Sequence, residues 1–393
     1  MLEHELLLNC ARTKFNPEGI SGIDLDALDW DYVLRQSKLH NIAPLVHNSL
    51  RDFSVPIRKQ LQAIYAHTGF HNMLYLEELK KAEEKFKRHG VKVIVLKGPA
   101  LALEVYGNIA LRPFVDVDIL MRKEDLPETE TLLNSLGYLC EDPEFYKRYH
   151  FHLPCAKKGK IDFFFELHWA FVDRFILNRV DMSEVRELSV DGMLPPEINI
   201  LYLLLHIEKH AFLNKIICRE RNPAEWIFSN PRGNQLIWYT DLYELISGNE
   251  IDWQSVTELS REWAMQHIVY HNLHILNQLY PLHQVEDVLR GMPRYKIGLL
   301  KRLIYVPALR KNSAFTFSPD IQLRPIRALD LVDYVFPSPG ALASYYRIAK
   351  RPMLAVYYVL HIITGLKEIL REFLGICQKK LYANRKREYP ARG

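Results

Sequence analysis

Cysteine is scarce in this chain, and its placement does not suggest crosslinking. The five cysteines among 393 residues are Cys10, Cys140, Cys155, Cys218 and Cys377. They are scattered, and no two have the C-x-x-C spacing. Disulfide-rich secreted domains and cysteine zinc sites both need paired or clustered cysteines. We therefore expect reduced cysteines in a cytoplasmic protein, with neither a disulfide framework nor a cysteine zinc site.

The sequence also lacks a long hydrophobic run and an excess of one charge. The apolar stretch 353–366 is shorter than the roughly 20 residues of a membrane-spanning helix. The N-terminus has no basic and apolar segments of the kind that form a signal peptide. Lys and Arg total 51 and Asp and Glu total 47, which gives a net charge of +4. Because dedicated nucleic-acid binders concentrate basic residues, this balance argues against nucleic acid as an obligate partner.

The chain does contain many apolar residues in helical and strand patterns. Hydrophobic residues make up 48% of the chain and aromatic residues 11%, enough for a substantial core. Helical spacing is found through most of 1–70, 73–90 and 198–303. The segments with a strand pattern are 91–96, 115–121, 150–156 and 161–169, the last two as a hairpin. Because single helices separate the first strands, this order favours a small mixed sheet covered by helices.

Two aspartates interrupt the predicted strand 115–121. Asp116 and Asp118 project from one face, and the apolar residues between and around them project from the other. Two carboxylates about 7 Å apart on one face of a core strand repel each other. A divalent metal ion would compensate both charges, and the alternative is a pair of turn or surface aspartates. A second acidic pair, Asp24 and Asp26, precedes a helical pattern and is interpreted as helix capping.

The predicted strand 91–96 ends in Lys97 and Gly98. Glycine at a strand-to-helix turn lets backbone N–H groups approach a polyphosphate, and a helix N-terminus favours its charge. Lys97 and Arg112, which precedes the aspartates, are candidate partners for phosphate. Ordinary solvated basic side chains are the alternative for both.

The return strand of the predicted hairpin supplies a third carboxylate. Strand alternation places Asp162, Glu166 and His168 on one face. Glu166 is our candidate to complete the metal site and to help deprotonate an acceptor hydroxyl. Asp162 competes with it for that role, and an exposed glutamate on an edge strand is the alternative.

The order L-K-G-x-A-L, L-R-P-x-x-D-x-D-I-L and E-L-H-W resembles a family of uncharacterised nucleotidyltransferases in the polymerase-β-like superfamily. These motifs occupy 96–169, and weaker similarity continues at Leu-His 205–206, in the run ending at Asp241 and at Phe336-Pro-Ser-Pro. Pro99 stands where the superfamily usually has serine. That difference weakens the expectation of a hydroxyl contact to phosphate and leaves the carboxylates unaffected.

The resemblance implies a Mg²⁺-dependent enzyme that moves a nucleoside monophosphate from an NTP, for example ATP, to an acceptor hydroxyl or phosphate. Pyrophosphate would be released, and the acceptor would be a small molecule or a protein. The expected catalytic residues and ligands of a two-metal site are Asp116, Asp118 and Glu166. The expected nucleotide contacts are Lys97, Gly98, Arg112 and His168.

The fold expected from these features is α+β. Its predicted parts are an N-terminal helical segment 1–70, a nucleotidyltransferase core 71–175, a C-terminal helical domain 176–335 and a helical tail 336–393 with a basic end. The cleft between the core and the C-terminal helices would hold the acceptor. The sequence indicates neither the acceptor, nor the base of the NTP, nor the oligomeric state.

Three alternatives stay open. The chain could be a catalytically weak nucleotide-binding or protein-interaction module. The segment 353–387, apolar and then amphipathic and basic, could contact an acidic membrane surface, although such tails are more often simply solvated. His206 and His210, at i and i+4 on a helix, could bind zinc, but lining the nucleotide cleft or packing is the expected role.

Overall fold

The structure is a computed structural model. It describes residues 1–13, 17–20, 22–172, 180–211, 222–229, 231, 234–293, 356–360 and 362–363. The chain divides into two compact units, of which the first comprises Met1–Phe212 and Ile217–Arg294 and the second Leu213–Ile216 and Tyr295–Gly393. In the second unit the structure describes only short helical pieces, so the predicted membrane contact of 353–387 lies largely outside the described residues. Within the described ranges, no helix combines the length and apolar character needed to cross a membrane.

Helices open the first unit, as predicted. They are α1 (Leu2–Cys10), α2 (Trp30–Leu39), α3 (Ala43–Leu50) and α4 (Arg58–Arg88). Asp24 caps a short 3₁₀ turn by accepting a hydrogen bond from the backbone N–H of Asp26. This confirms the predicted capping role of the acidic pair at 24 and 26.

A five-stranded mixed sheet follows α4, which confirms the predicted α+β fold. Its strands are β1 (Ile94–Val95), β2 (Val117–Leu120), β3 (Leu139–Cys140), β4 (His152–Lys157) and β5 (Phe163–His168). Their spatial order is β1-β2-β5-β4-β3, with β2 parallel to β5 and every other pair antiparallel. The predicted hairpin is therefore confirmed as β4 and β5. The parallel pairing places Asp118 directly beside Glu166.

The sheet has one apolar and one polar face. Val117 and Ile119 alternate with the acidic residue of β2 and are completely buried, in a core shared with α4 and α5 (Leu126–Asn134). Tyr75 of α4 donates its hydroxyl proton toward the carbonyl oxygens of Val115 and Asp162, at 2.7 and 3.0 Å. This contact fixes the starts of β2 and β5 against the same helix. The opposite face is left for the polar residues.

The rest of the unit is helical. After α6 (Pro143–Tyr149) come α7 (Met182–Glu187), α8 (Pro196–Ala211), α9 (Pro223–Ser229), α10 (Leu236–Gly248), α11 (Trp253–Glu262), α12 (Gln266–Leu279) and α13 (His283–Gly291). The helical spacing found through 198–303 is interrupted between α11 and α12, because the chain turns at Ala264, whose φ is 57°. The helical periodicity continues across that turn, and neither glycine nor proline marks it. The domain boundaries near 70, 175 and 335 stay predictions.

One cysteine pair differs from the sequence expectation. Cys140 in β3 lies opposite Cys155 in β4, and the two form a disulfide. The expectation that all cysteines are reduced is therefore wrong for this pair, which meets only because a two-residue strand pairs with β4. Cys10 is buried and free, and Cys218 and Cys377 lie outside the described residues.

His40 connects the N-terminal helices to α10. Its Nδ1 accepts a hydrogen bond from the backbone N–H of Leu236 at 3.2 Å. Its ring meets Phe228 edge-on, with the centroids 5.0 Å apart. The residue is fully buried, and burial lowers the pKa of His40 to about 4.

We expect His40 to make the protein less stable in mild acid. Between pH 6.5 and 4 the unfolded chain binds a proton at this residue and the folded chain does not, so stability falls as pH decreases through that window. A shift of this size corresponds to on the order of 3 kcal/mol. His40→Asn keeps an acceptor for Leu236 and removes the titration. Urea unfolding at several pH values should therefore show a shallower acid loss in the variant, and parallel curves for both proteins would contradict this assignment.

Candidate active site

The polar face of β2 and β5 brings together three of the predicted residues. His168 Nε2 donates to Asp118 Oδ1 at 3.0 Å and lies 3.3 Å from Glu166 Oε2. Asp118 and His168 are almost completely buried, whereas the Glu166 side chain is 30% exposed. This arrangement follows from strand alternation combined with the parallel pairing of the two strands.

Lys97 enters the same site from the end of β1. Its Nζ lies 2.9 Å from Asp118 Oδ2 and 4.0 Å from Asp116 Oδ2. The backbone N–H of Leu96 donates to the carbonyl oxygen of Asp118 at 2.9 Å, which holds this segment against β2. The sequence requires a positive charge between the aspartates, and the structure supplies one from the chain itself.

Gly98 permits the turn that follows Lys97. Its φ is 51°, and a Cβ there would lie 3.3 Å from the carbonyl oxygen of Asp116. Any larger residue would therefore meet both backbone strain and the backbone of Asp116, just before β2. The short helix predicted after this glycine is present as a π-helical turn, Leu101–Val105.

The two aspartates differ in their electrostatics. Burial alone would raise the pKa of Asp118, but the positive charge of Lys97 and the hydrogen bond from His168 hold that pKa well below its usual range. Burial raises the pKa of Asp116. The positive charge of Lys97 acts to lower this pKa, but the negative charges of Asp118 and Glu166 raise it further. The neighbours of Asp118 thus stabilise its ionised form, whereas the surroundings of Asp116 destabilise its ionised form.

The basic partners show the complementary effects. Burial would lower the pKa of Lys97, but the charges of Asp118 and Asp116 raise it above its usual value. Burial would also lower the pKa of His168, and its hydrogen bonds to Asp118 and Glu166 reverse that direction. Each buried charge of the cluster therefore depends on its neighbours for compensation.

A cavity of about 110 Å³ separates this cluster from α8. Its lining residues are Lys97, Asp116, Asp118, Phe151, Glu166, His168, Phe171, Val172, Tyr202, Leu205, His206, Lys209 and His210. Five of the seven predicted site residues line the cavity, and the exceptions are Gly98 and Arg112. Helix α8 adds a further basic residue, Lys209, to the wall. His206 and His210 line the cleft, which was the role expected of them besides packing. Burial lowers the pKa of His210 to about 4, so this ring is neutral near pH 7.

Sequence reasoning missed the remaining contributors to the cavity wall. Tyr202, Leu205 and Lys209 lie on α8 among ordinary helical periodicity, and Phe171 follows β5 without a recognisable motif. The Leu-His pair at 205–206 was the one local signal that pointed to this helix.

Two sequence candidates lie elsewhere. Arg112, expected near phosphate, is buried and forms a two-point ion pair with Asp241 of α10, with Nη2 to Oδ2 at 2.8 Å and Nε to Oδ1 at 3.3 Å. It does not line the cavity, because its ion pair with Asp241 holds the guanidinium between the core and the C-terminal helices. Asp162 pairs with Lys158 at 2.7 Å on the surface. The choice between Asp162 and Glu166 therefore favours Glu166.

The carboxylates fit a divalent cation. One ligand atom each from Asp118, Glu166 and His168 lies within 4.8 Å of the others, and this is the one such group of three found in the described ranges. Carboxylate oxygens suit Mg²⁺ and Mn²⁺, whereas His168 Nε2 carries the proton that it donates to Asp118. Asp116 lines the same cavity but lies outside this group. The paired histidines at 206 and 210 do not belong to it either.

This combination of sheet, carboxylates and glycine turn agrees with a known family. The sequence profile of a family described as uncharacterised nucleotidyltransferase matches residues 26–281. The chain belongs to this family. The match includes α2 to α12 and every residue of the cavity wall. No curated protein matches the chain.

Proposed function

We propose that this nucleotidyltransferase is Mg²⁺-dependent and transfers a nucleoside monophosphate from an NTP to an acceptor hydroxyl or phosphate, with release of pyrophosphate. The observation that supports this most is the pairing of Asp118 with Glu166 across parallel strands, with His168 between them. Family membership supports the general reaction, and the donor set supports the metal.

The carboxylates would hold the metal ions. Asp118 and Glu166 are the principal ligands, and Asp116 would complete a two-metal arrangement from the rim of the same cavity. Bound there, divalent ions would polarise the α-phosphate and favour the ionised form of the acceptor oxygen. His168 orients both principal carboxylates through its single Nε2 proton.

The remaining roles follow from position and charge. The acceptor oxygen forms a bond to the α-phosphorus while the bond from that phosphorus to the oxygen bridging to the β-phosphate breaks, and pyrophosphate leaves. Glu166, the more exposed of the two principal carboxylates, takes the acceptor proton. Lys97 and the backbone at Gly98 would contact the phosphates from one wall, and Lys209 would do so from the other.

A transfer assay with a matched pair of variants tests this function. The protein is incubated with each of the four α-³²P-labelled NTPs, Mg²⁺ and a small-molecule and protein extract, and labelled products are separated by size. We expect Glu166→Gln to lower the transfer rate by about 10²-fold or more, the usual contribution of a positioned base. Asp162→Asn is the control, since that exposed carboxylate precedes the same strand and does not line the cavity.

The outcomes separate the open alternatives. Nucleotide binding by the wild type without transfer to any acceptor would favour a catalytically weak binding module. Equal rates in the two variants would remove Glu166 from the reaction. Product size would show whether the acceptor is a small molecule or a protein.

A further inference from the structure

Lys97 occupies one oxygen of the most buried carboxylate of the site. Its Nζ lies 2.9 Å from Asp118 Oδ2, and the other oxygen, Oδ1, accepts the proton of His168. Asp118 is 1% exposed and the Lys97 side chain is 14% exposed. Water therefore contributes little to the solvation of this pair, and each charge depends on the other.

A divalent ion and the ammonium of Lys97 need the same carboxylate. An ion bound to Asp118 would bring two further positive charges next to Nζ, and the repulsion grows with the product of the charges and with burial. Asp116 Oδ2, at 4.0 Å from Nζ, offers only a weaker second partner. Metal binding at Asp118 therefore requires the ammonium to move away from Oδ2.

The cavity gives the ammonium another place to go. Lys97 lines the cavity together with Asp116, Asp118 and Glu166, so an anion inside it can reach Nζ. A polyphosphate is such an anion and pairs well with a lysine ammonium. The same side chain thus faces a carboxylate and the space in which a nucleotide would bind.

We propose that Lys97 is a positioning residue that exchanges between Asp118 and the nucleotide phosphates, so that it opposes binding of a free divalent ion and favours binding of a nucleotide. The consequence is ordered loading, in which the metal binds weakly alone and strongly with its nucleotide. This inference rests on the proposed function, because the exchange partner is the polyphosphate of the NTP.

The test uses one substitution and two ligands with opposite expected effects. Lys97→Met should bind Mn²⁺ alone about tenfold more tightly than the wild type in calorimetry, a change of about 1.4 kcal/mol. In EDTA, the same variant should bind α,β-methylene-ATP about tenfold more weakly. Lys157→Met is the matched control: Lys157 also forms an ion pair with a mostly buried glutamate, Glu78, at 2.7 Å, but does not line the cavity. It should leave both affinities unchanged.

A lysine that is merely structural gives a different result. Loss of such a lysine would lower the affinity for both ligands or for neither. Either outcome would overturn the proposed exchange. Absence of Mn²⁺ binding in both the wild type and Lys97→Met would instead remove the metal site, and with it the proposed function.

A measurement on the wild type covers the case in which Lys97→Met does not fold. Saturating Mg²⁺ should increase the extent of reductive methylation at Lys97, because the ion displaces the ammonium from Asp118. Peptide mass spectrometry measures the extent of methylation. Unchanged labelling at Lys97 under saturation would reject the inference, with Lys157 labelling as the internal reference.

Discussion

Asp118→Asn should lower the free energy of unfolding by about 3–5 kcal/mol, the usual cost of removing one partner from a buried ion pair. The substitution leaves Lys97 buried next to a neutral amide and removes the acceptor charge that His168 faces. Asp116→Asn should instead leave stability unchanged or raise it. The pKa of Asp116 is raised by burial and by neighbouring carboxylates, so its charge destabilises the folded chain at neutral pH, and the amide removes that cost.

Urea unfolding of the wild type and both variants at pH 7, without metal, measures these differences. The two aspartates are equivalent in the bare D-x-D pattern, so a difference in sign between them can come only from their three-dimensional surroundings. Mg²⁺ with an NTP should raise the melting temperature of the wild type, and both variants should lose most of that gain. Equal destabilisation by the two substitutions, with the ligand-induced gain intact, would contradict the catalytic assignment.

Arg112→Met should destabilise the protein by a similar amount, about 3–5 kcal/mol. Arg112 and Asp241 are both buried, and Asp241 also accepts a hydrogen bond from the Tyr106 hydroxyl at 2.7 Å. The variant leaves the Asp241 carboxylate without its cation in a nearly water-free environment. Arg112→Met combined with Asp241→Asn should recover a large part of the loss, because the amide is neutral and its oxygen still accepts from Tyr106.

A double-mutant cycle of unfolding free energies measures the coupling between these two residues. The single variants and the double variant are compared by chemical denaturation at pH 7. If the losses of unfolding free energy in the two single variants simply added in the double variant, the ion pair would contribute no coupling energy between the core and α10. Arg112→Met should also retain binding of Mg²⁺ and nucleotide in the folded fraction, since the guanidinium does not line the cavity.

The sequence predicted the part of the site that depends on alternation along a strand. A period of two places Asp116 and Asp118 on one face of their strand, and it places Asp162, Glu166 and His168 on one face of theirs. The abrupt end of an apolar run marks Lys97. Their meeting also requires that β2 and β5 pair side by side, which the structure shows. The structure brings these side chains together because alternation along a strand is a local signal, and the roles of the residues stay predictions.

The parts that failed or were missed depend on distant partners. The partner of Arg112 is Asp241, 129 residues away, and a solvated, a phosphate-bound and a paired arginine have the same local sequence. Cys140 and Cys155 meet through β3, a strand too short to show a periodicity. The wall formed by α8 has the sequence of an ordinary packed helix, so only the fold shows that Lys209 lines the same cavity as the carboxylates.

The strand order also has a consequence for assembly of the chain. β5 is made after β4 yet lies between β4 and β2, so the antiparallel β3-β4-β5 segment can form locally and then dock onto β2. The acidic residues of the site lie on opposite sides of that seam, and docking must bring their charges together. In the folded chain Lys97 and His168 offset this repulsion. Screening by salt should therefore speed the docking step of refolding more in Lys97→Met than in the wild type.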